Sequence, residues 1–367
     1  MADIMPTKYN PKYSITPQIA SSLMRIEAAK VQLFYLPLTT TVLSSLRETA
    51  RLYTTHYSTM IEGNRLGPDQ IEHVIKHEGH FPGRERDERE VKGYYAALHM
   101  VDQTVAAGRG ITEKTIQSLH ALVMAGGRIK VKPTKYRDGQ NAIRDSRTKN
   151  LVYMPPEAKD VPSLIRQMVK WIVSSKNIPC PIVAAIAHYQ FATIHPYYDG
   201  NGRTARLLTT LILHLGSYDL KGLYSLEEYY ARNLTAYYQA ISICPSHNYY
   251  LGRAEAEITQ WVEYFVAGMA DSFENVMSRM AKAEKNGNLD HSPLIRKLDP
   301  RQRKVLDLFL EFEVITSRQV ADLFGFRPRT SSQLCASWVD QGFLMVLDFS
   351  NKGRKYELAK QYRKLIP

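Results

Sequence analysis

Apolar residues recur at intervals of three and four positions along most of this chain, and that spacing predicts a mainly α-helical fold. The clearest stripe lies near the N-terminus and has these members: Leu43, Leu46, Ala50, Tyr53, Tyr57 and Met60. Gly63 and Asn64 predict the end of this helix. The same spacing predicts further helices over residues 90–107, 161–173, 182–193, 207–215 and 258–280. Thr112 and the S-x-x-E capping box of Ser225 and Glu228 each predict the start of one more.

The composition is that of an ordinary folded protein. Of 367 residues, 44% are hydrophobic and 23% are charged, and the three cysteines, Cys180, Cys244 and Cys335, form no CxxC pair. Neither a disulfide framework nor a zinc cluster is therefore expected. No stretch approaches the ~18 uninterrupted apolar residues of a membrane-spanning helix, so no membrane partner is expected. The N-terminus lacks the basic region and apolar run of a secretory signal, which makes the cytoplasm the expected location.

The chain carries an excess of positive charge. Its 48 lysines and arginines outnumber its 36 acidic residues by 12, which favours polyanionic partners such as nucleotides or nucleic acid. Residues 296–367 hold 14 basic and 8 acidic residues, so 6 of the 12 excess charges fall in the last fifth of the chain. This segment is expected to have a partner of its own.

Two stretches depart from the helical pattern. Residues 136–156 contain Asp138-Gly139, a polar run over 145–150 and the strand-like residues 151–154 before two prolines, which predicts a short β-hairpin. An exposed hairpin edge can pair with the backbone of another chain. Residues 282–293 are polar and contain Asn-Gly-Asn, which predicts a linker.

The segment after this linker predicts a small domain of its own. The expected elements are, in order, a helix at 301–312, a strand at 314–315, helices at 317–323 and 331–341, and strands at 343–347 and 355–358 with a turn at 351–353. Three helices and a basic hairpin are typical of a winged helix-turn-helix. Side chains suited to phosphate and base-edge contacts lie at the start of the third helix and in the hairpin: Arg327, Arg329, Ser331, Ser332, Gln333, Lys352, Arg354 and Lys355.

Residues 194–206 carry the densest group of functional signals and read Ile-His-Pro-Tyr-Tyr-Asp-Gly-Asn-Gly-Arg-Thr-Ala-Arg. Gly200 and Gly202 allow backbone conformations with positive φ, in which successive N–H groups form a nest for an anion. The helix that follows points its positive end at the same place. Arg203 and Arg206 lie three positions apart on that helix, so both can turn towards one polyphosphate. The segment therefore predicts a phosphate-binding site.

Two further residues of this segment suit chemistry on a phosphate. Asp199 offers a hard oxygen ligand that suits Mg²⁺. His195 is the only near-neutral base in the segment and can deprotonate an attacking hydroxyl. A His-Pro turn between two helices would explain any one of these features, but not a base, a metal ligand, a nest and two arginines within 12 residues. The other histidines considered are expected to be structural: His56, His120, His188 and His214.

The same segment resembles the motif of the Fic proteins, H-P-F-x-(D/E)-G-N-G-R-x-x-R, and matches every fixed position except that Tyr197 replaces the phenylalanine. Fic proteins have a helical core with a small β-hairpin flap that clamps a segment of the target protein in extended form. Tyr136-Arg137, Tyr153 with Pro155-Pro156, and Val161-Pro162 look like this flap. Members of the family transfer AMP from Mg·ATP to a Ser, Thr or Tyr hydroxyl of a target protein and release pyrophosphate.

The resemblance implies a role for each matched position. His195 is the general base, and Asp199 holds the metal. The positions that bind the phosphates of ATP are Gly200, Asn201, Gly202, Arg203 and Arg206. On the helix that Ser225 opens, three residues resemble the N-x-x-x-Y-Y positions near the adenine: Asn233, Tyr237 and Tyr238. An aromatic face can stack on a purine, but a tyrosine-rich helix face equally fits an ordinary core.

Residues 58–64, Ser-Thr-Met-Ile-Glu-Gly-Asn, resemble the inhibitory motif of the family, (S/T)-x-x-x-E-(G/N). Ser58 and Glu62 are four positions apart and share one helix face. Glu62 also ends its helix, where the macrodipole disfavours an anion, so a cationic partner is expected. Arg206 is the expected partner, and this pair would keep Arg206 from the γ-phosphate and slow transfer. In some relatives the same glutamate supports the removal of AMP, and a solvated glutamate at a frayed helix end is the plain structural alternative.

These observations predict four segments: a helical region at 1–95 with the inhibitory helix, a Fic core at 96–285, a linker at 286–295 and a winged helix at 296–367. The expected function is that of an autoinhibited protein adenylyltransferase, which binds ATP and Mg²⁺ and holds its target along the flap. Two alternatives stay open, a DNA-binding regulator with a Fic-like sensor and a Fic enzyme that removes AMP or uses another phosphate donor. A protein partner for the winged helix and a homodimer also stay open.

Overall fold

The structure, a computed structural model, describes residues 9–35, 40–76, 79–144, 148–243, 246–285, 298–348 and 354–366. It divides into two compact units, the first formed by Met1–Lys30 and Thr49–Val276 and the second by Val31–Glu48 and Met277–Pro367. The described residues are mainly helical with two small antiparallel sheets, which confirms the predicted fold class. Among them, no helix is both long enough and apolar enough to cross a membrane.

The helices up to the predicted linker agree with the apolar spacing. In chain order they are α1 (Pro17–Tyr35), α2 (Thr40–Ile61), α3 (Pro68–Ile75), α4 (Glu85–Ala106), α5 (Glu113–Met124), α6 (Val161–Ser174), α7 (Cys180–Ile194), α8 (Asn201–Leu215), α9 (Leu226–Arg232), α10 (Leu234–Ile241) and α11 (Thr259–Lys285). Thr112 caps α5 by accepting a hydrogen bond from the backbone N–H of Thr115. Ser225 caps α9 in the same way, through the N–H of Glu228.

The predicted end of α2 is confirmed, but the buried face of this helix differs from the predicted apolar stripe. Tyr53 and Met60 are exposed, and the buried face carries Thr55, Ser58 and Thr59 instead. The hydroxyls of Thr55 and Thr59 each donate to the carbonyl four residues earlier at 2.9 Å. Because these hydroxyls find partners within their own helix, the face can be buried without unpaired polar groups.

α7 forms the centre of the first unit. It is buried on almost every side, and Ile182, Ile186 and Phe191 are fully shielded from solvent. A helix that is apolar all round belongs in a core. α8 packs against α7 and also lies against α4 and α5. The C-terminus of α7 and the N-terminus of α8 therefore meet inside a helical framework, which holds residues 195–200 between them.

β1 (Ile143–Arg144) and β2 (Leu151–Tyr153) pair antiparallel, which confirms the hairpin predicted over residues 136–156. Residues 145–147 of their connection lie outside the described residues. The end of β2 is tied to a neighbouring loop, because the N–H of Met154 donates to the His247 carbonyl at 2.7 Å and that of Tyr249 donates to the Met154 carbonyl at 3.0 Å. Among the described strands β1 pairs with β2 alone, so the second edge of β1 can receive an added strand.

The second unit contains the elements predicted after the linker. They are α12 (Pro300–Val305), β3 (Ile315–Thr316), α13 (Ser317–Phe324), α14 (Pro328–Asp340), β4 (Leu344–Asp348) and β5 (Lys355–Leu358). The strands form one antiparallel sheet in the order β3-β5-β4, over a core that includes Trp338, Phe343 and Tyr356. The assignment as a winged helix and the domain boundaries stay predictions. The linker at 286–295, the turn at 351–353 with Lys352, and Cys244 lie outside the described residues.

Two predicted helix boundaries in this unit are wrong. The helix predicted at 301–312 is α-helical only to Val305 and continues as the 3₁₀ segment Leu306–Leu310. The helix predicted from residue 331 starts three residues earlier, at Pro328. Proline suits the first helical position because it lacks the N–H that would stay unpaired there.

Candidate active site

The loop between α7 and α8 turns through two residues with positive φ. His195 has φ 51° and ends α7, with its N–H donating to the Phe191 carbonyl at 3.0 Å. Gly200 has φ 76° and immediately precedes α8. A Cβ at Gly200 would lie 2.9 Å from Met124 Sδ and 3.2 Å from His120 Nε2, so only glycine fits there. The two turns bring the base and the positive end of α8 to one place.

Asn201 locks this loop through its side chain. Its Nδ2 donates to the Tyr197 carbonyl at 2.8 Å, and its Oδ1 accepts from the Tyr197 N–H at 3.0 Å. The residue is only 3% exposed. Both polar atoms of the side chain are therefore engaged within the loop. Asn201 can still bind an anion through its backbone N–H in the first turn of α8.

His120 supports the same loop from α5, a role that the sequence did not indicate. Its Nε2 donates to the Asp199 carbonyl at 2.9 Å, and its ring stacks on that of Tyr197 with 3.5 Å between centroids. Burial lowers the pKa of His120 to about 4, so the ring is neutral at pH 7. Because His120 lies more than 70 positions before the motif, its spacing carries no signal of this contact.

His195 is set up as a neutral base. Burial lowers the pKa of its imidazole to about 4, a hydrogen bond with the backbone of Ala192 opposes that change, and the charge of Arg137 adds to it. Arg137 lies at the base of the hairpin and donates from Nε to the His195 carbonyl at 3.0 Å. Its N–H donates to the Pro196 carbonyl at 2.9 Å. The hairpin base is thus joined directly to the residue that can accept a proton.

Arg206 is buried and held by the C-terminal end of α2 and the residue that follows it. Only 1% exposed, it donates from Nε to Ser58 Oγ and from Nη2 to the Ser58 carbonyl, both at 2.8 Å. Nη2 also donates to Glu62 Oε1 at 2.9 Å, so the structure brings together the three residues that the motif resemblance linked. Burial alone would lower the pKa of Arg206, but the charge of Glu62 raises it well above its ordinary value. The guanidinium therefore stays charged.

The carboxylate of Glu62 lies against the first turn of α8. A Cβ at Gly202 would fall 2.2 Å from Glu62 Oε1, which measures how closely this oxygen approaches the helix end. Unpaired N–H groups at a helix N-terminus attract an anion. Glu62 therefore lies beside Gly202, one of the two glycines from which the anion nest was predicted.

Arg203 faces two acidic side chains other than Glu62. It is 2% exposed, with Nη2 at 3.3 Å from Asp199 Oδ1 and Nη1 at 3.7 Å from Glu90 Oε1. Its Nε is buried and has no hydrogen-bond partner among the described residues. A buried, unpaired N–H is costly, and a phosphate oxygen is the kind of acceptor that would satisfy it. Glu90 was not indicated by the sequence, since it lies 113 positions before Arg203.

Asp199 is the carboxylate of this loop that could help to hold a magnesium ion. Its Oδ1 accepts from the Gly200 N–H at 2.6 Å and faces Arg203, while the side chain is 57% exposed. Among the described residues, no group of three or more His, Cys, Asp or Glu side chains could hold a metal without other ligands. Mg²⁺ is commonly bound by one carboxylate together with substrate phosphates, and Asp199 suits that arrangement.

The three adenine candidates lie close together, although not all on the predicted helix: the Tyr237 N–H donates to the Asn233 carbonyl at 3.1 Å, and the ring centroids of Tyr237 and Tyr238 are 5.3 Å apart. Asn233 is not on the helix that Ser225 opens, because that helix ends at Arg232 and Asn233 instead caps α10, with its Oδ1 accepting from the Ala236 N–H. Tyr237 is 3% exposed and bonded through its hydroxyl to His188 Nε2 at 3.0 Å, so its ring belongs to the core. Tyr238 is 46% exposed and donates to the Ile61 carbonyl, beside Glu62.

Comparison with known proteins finds a family match in the centre of the chain. Residues 110–213 match the Fic/DOC family. The protein adenylyltransferase Fic of Nematostella vectensis is 29% identical over 195 residues, which cover 52% of this chain and 44% of that protein. The protein adenylyltransferase fic-1 of Caenorhabditis elegans is 28% identical over 240 residues, or 64% of this chain and 44% of that protein. The chain thus spans less than half the length of these curated relatives.

Solved structures share the fold. A Fic family protein from Desulfovibrio desulfuricans superposes with a TM-score of 0.61 at 22% identity, over 96% of this chain and 99% of the other. A Fic domain containing signaling protein from Bacteroides thetaiotaomicron gives a TM-score of 0.59 at 21% identity, over 73% and 97% of the two chains. These likenesses show the fold, a Fic helical core with a small hairpin.

Proposed function

On the premise that residues 110–213 form a Fic/DOC family domain, we propose that the chain is an autoinhibited protein adenylyltransferase. It moves AMP from Mg·ATP to a Ser, Thr or Tyr hydroxyl of a target protein. The observation that carries this proposal is that one loop and the helix after it hold a neutral His195, the positive end of α8 and the buried Arg206. Glu62 lies against the start of α8 and bonds Arg206. A base beside an anion site is what transfer of a phosphoryl-linked group to a hydroxyl requires.

In the proposed mechanism, neutral His195 accepts the proton of the target hydroxyl, whose oxygen forms a bond to the α-phosphorus of ATP. The bond from that phosphorus to the bridging oxygen breaks, and pyrophosphate leaves with the electron pair. The first-turn N–H groups of α8 and the unpaired Nε of Arg203 bind phosphate oxygens as negative charge shifts to the leaving group. Asp199 would hold the Mg²⁺ that comes with ATP and offsets phosphate charge.

The hairpin is proposed to hold the target. Its residues Leu151 and Val152 are both about 40% exposed, and the second edge of β1 has no strand partner among the described residues. The base of the hairpin is joined to the loop through Tyr198, whose hydroxyl donates to Asp138 Oδ1 and accepts from the Gly139 N–H, both at 2.8 Å. An extended target segment added along β1 would therefore run beside His195.

Transfer of label tests the proposed reaction. The variant Glu62→Gly is incubated with Mg·ATP labelled at either the α- or the γ-phosphorus, alone and with a cell lysate. We expect α-label on protein and γ-label in released pyrophosphate. Protein that gains the γ-label instead would show phosphoryl transfer, and protein that gains neither label while binding ATP would overturn the proposal and direct attention to AMP removal.

DNA binding by the second unit is a second candidate function, favoured by the exposed surface of α14. Arg327, Arg329, Ser332 and Gln333 are exposed, and no acidic residue follows in this helix until Asp340 at its end. Arg354 and Lys355 are exposed as well. Ser331 is a correction to the predicted set, since it is fully buried and its hydroxyl donates to the Pro328 carbonyl. A helix start that presents arginines and amides suits phosphate and base-edge contacts.

Salt dependence tests the DNA candidate. Replacing both Arg327 and Arg329 by alanine should reduce the slope of log affinity against log salt by about 2, one unit for each lost phosphate contact. Fluorescence anisotropy with a mixed-sequence duplex at about 50–200 mM salt measures this slope. Arg363→Ala is the matched control, because Arg363 is paired with Glu357 at 2.6 Å and should leave the slope unchanged. Equal slopes for the wild type, the double variant and Arg363→Ala would exclude the start of α14 as the DNA-contacting surface.

A further inference from the structure

Half of the chain's excess positive charge lies in one short segment before and within the hairpin. Residues 125–154 contain eight basic and two acidic residues, an excess of 6. Residues 296–367 hold the other 6 of the 12 excess charges, so basic and acidic residues balance over the rest of the chain. A local excess of one sign of charge favours partners of the opposite sign, and residues 125–154 therefore point to a negatively charged partner for this segment.

Six cations of this segment lie exposed on the described surface. We call them the basic strip: Arg128, Lys130, Lys132, Lys135, Arg144 and Lys149. None of the six forms an ion pair with a carboxylate among the described residues. The two arginines donate hydrogen bonds only to main-chain carbonyls there, Arg128 Nε to that of Ala125 at 3.3 Å and Arg144 Nη1 to that of Lys149 at 3.1 Å. The charges of the basic strip are therefore available to a partner.

The described acidic residues before, within and after the basic strip are engaged with other groups. Each carboxylate accepts a hydrogen bond from a tyrosine hydroxyl or pairs with a lysine outside the strip, in the pairs Glu113–Tyr136, Asp138–Tyr198, Glu157–Lys159 and Asp160–Tyr250. The cations of the strip thus repel one another without a nearby carboxylate to offset them. A ligand that brings carboxylates relieves this repulsion when it binds.

The segment that carries the first four cations is attached at both ends to the loop between α7 and α8. Just before it, Met124 ends α5, and a Cβ at Gly200 would lie 2.9 Å from the Sδ of this methionine. Just after it, the Arg137 N–H donates to the Pro196 carbonyl at 2.9 Å. The four exposed cations between these contacts therefore lie on a short connection that starts and ends beside the candidate active site.

The other two cations lie on the hairpin itself. Arg144 is the last residue of β1, and its bond to the Lys149 carbonyl spans the turn between the strands. Among the described strands β1 pairs with β2 alone, so the free edge of β1 runs past Arg144. A peptide strand can add to such an edge through its backbone, and opposite charges on neighbouring strands stabilise the pairing. An added strand with acidic side chains therefore suits this edge.

We propose that the basic strip binds acidic target segments, in which Asp or Glu residues flank the hydroxyl that receives AMP. The cations of the strip attract the carboxylates of the segment, and the free edge of β1 pairs with its backbone. The inference rests on the proposed function for the transfer of AMP, whereas selective binding of an acidic segment can be measured without any transfer.

Two other anions suit the basic strip less well. A nucleic acid would also be attracted by the positive charge, but it has no peptide N–H and C=O groups to pair with the free edge of β1. ATP is proposed to bind through groups outside the strip, the N-terminus of α8 and the buried Arg203 and Arg206. The strip is exposed and continues onto the hairpin, which is the place proposed for a protein ligand.

Peptide binding tests this selectivity without transfer. Short fluorescent peptides carry a central Ser, Thr or Tyr that is flanked by glutamates, by the uncharged glutamines of similar shape, or by lysines. Fluorescence anisotropy with nucleotide-free Glu62→Gly should show about tenfold tighter binding of the glutamate peptides than of the glutamine peptides at about 50 mM salt. The preference should shrink at about 500 mM salt, because salt screens exposed charges. Equal affinities for the two sets, or no measurable binding of the glutamate peptides, would overturn the proposal.

Charge reversal locates the binding surface. Lys130→Glu combined with Lys132→Glu should weaken binding of the glutamate peptides about tenfold and strengthen that of the lysine peptides. Lys170→Glu combined with Lys176→Glu is the matched control, because it changes the net charge equally at two exposed lysines outside the basic strip. It should change these affinities by less than about twofold, since exposed charges farther away than the Debye length are largely screened. Equal losses in the two double variants would show attraction by net charge alone and would overturn the proposal.

The same peptides separate this inference from the proposed function. In Glu62→Gly, kcat/KM for transfer of the α-label should decrease from the glutamate to the glutamine to the lysine peptides, with an unchanged KM for ATP. If the glutamate peptides bind selectively and no peptide gains the label, the selectivity stands and the proposed reaction falls. If all peptides gain the label equally, the reaction stands and the selectivity falls. A single-stranded oligonucleotide of equal charge that displaces the glutamate peptides more readily than unlabelled peptide does would assign the strip to nucleic acid instead.

Discussion

Replacing Glu62 by glycine should raise the rate of AMP transfer by about 100-fold or more. The substitution removes the carboxylate that bonds Arg206 Nη2 at 2.9 Å and that lies against the first turn of α8. Both positions become available to the phosphates of ATP. A charge-assisted hydrogen bond is worth about 1.5–3 kcal/mol, and about 2.7 kcal/mol corresponds to a factor of 100 in rate.

The measurement is the initial rate of α-label incorporation, for wild type and variant at the same ATP concentration. Glu72→Gly is the matched control, since it also removes a glutamate that pairs with a cation, the exposed Lys76 at 2.5 Å. It should leave the rate unchanged. A Glu62→Gly protein that binds ATP but transfers AMP no faster than wild type would contradict the inhibitory role of Glu62.

The structure explains why helices were predictable here and buried faces were not. The ends of α2 and α5 follow from local signals, a Gly-Asn stop and a threonine cap, which act within a few residues. The buried face of α2 depends on what lies opposite. Thr55 and Thr59 can turn inward because their hydroxyls bond within the helix, and Ser58 because it meets Arg206, 148 positions later. The spacing of apolar residues cannot reveal either effect, because both involve hydroxyl groups.

The residues of the candidate site also fall into two groups, those that the sequence indicated and those that only the structure shows. The loop at 195–206 was predicted because its base, glycines and arginines are adjacent in sequence. His120 and Glu90 were not, because each contacts that loop or one of its arginines from a separate helix. Tyr237 resembled an adenine contact of the family, with an ordinary core as the open alternative, and the structure buries it and bonds it to His188. Spacing identifies which residues share a helix face, and only packing decides which face is inside.

Replacing His195 by alanine in the Glu62→Gly background should reduce transfer by about 1,000-fold, within the range that general base catalysis contributes. The backbone at this position ends α7 and accepts the Arg137 hydrogen bond, and both features involve main-chain atoms that alanine keeps. ATP binding should therefore survive, as equilibrium binding of labelled ATP would show. A double variant that binds ATP and still transfers AMP at the rate of Glu62→Gly would remove His195 from the reaction.

The pH profile of Glu62→Gly tests the same assignment by a second route. Because burial lowers the pKa of His195 to about 4, the imidazole is the neutral, proton-accepting form throughout the range above about pH 5. Protonation as the pH falls towards 4 removes the base, so kcat/KM should be level from pH 8 to about 5 and then decline. An ordinary exposed histidine would instead lose activity below about pH 6.5. A decline centred there would show that the base is not the buried imidazole of His195.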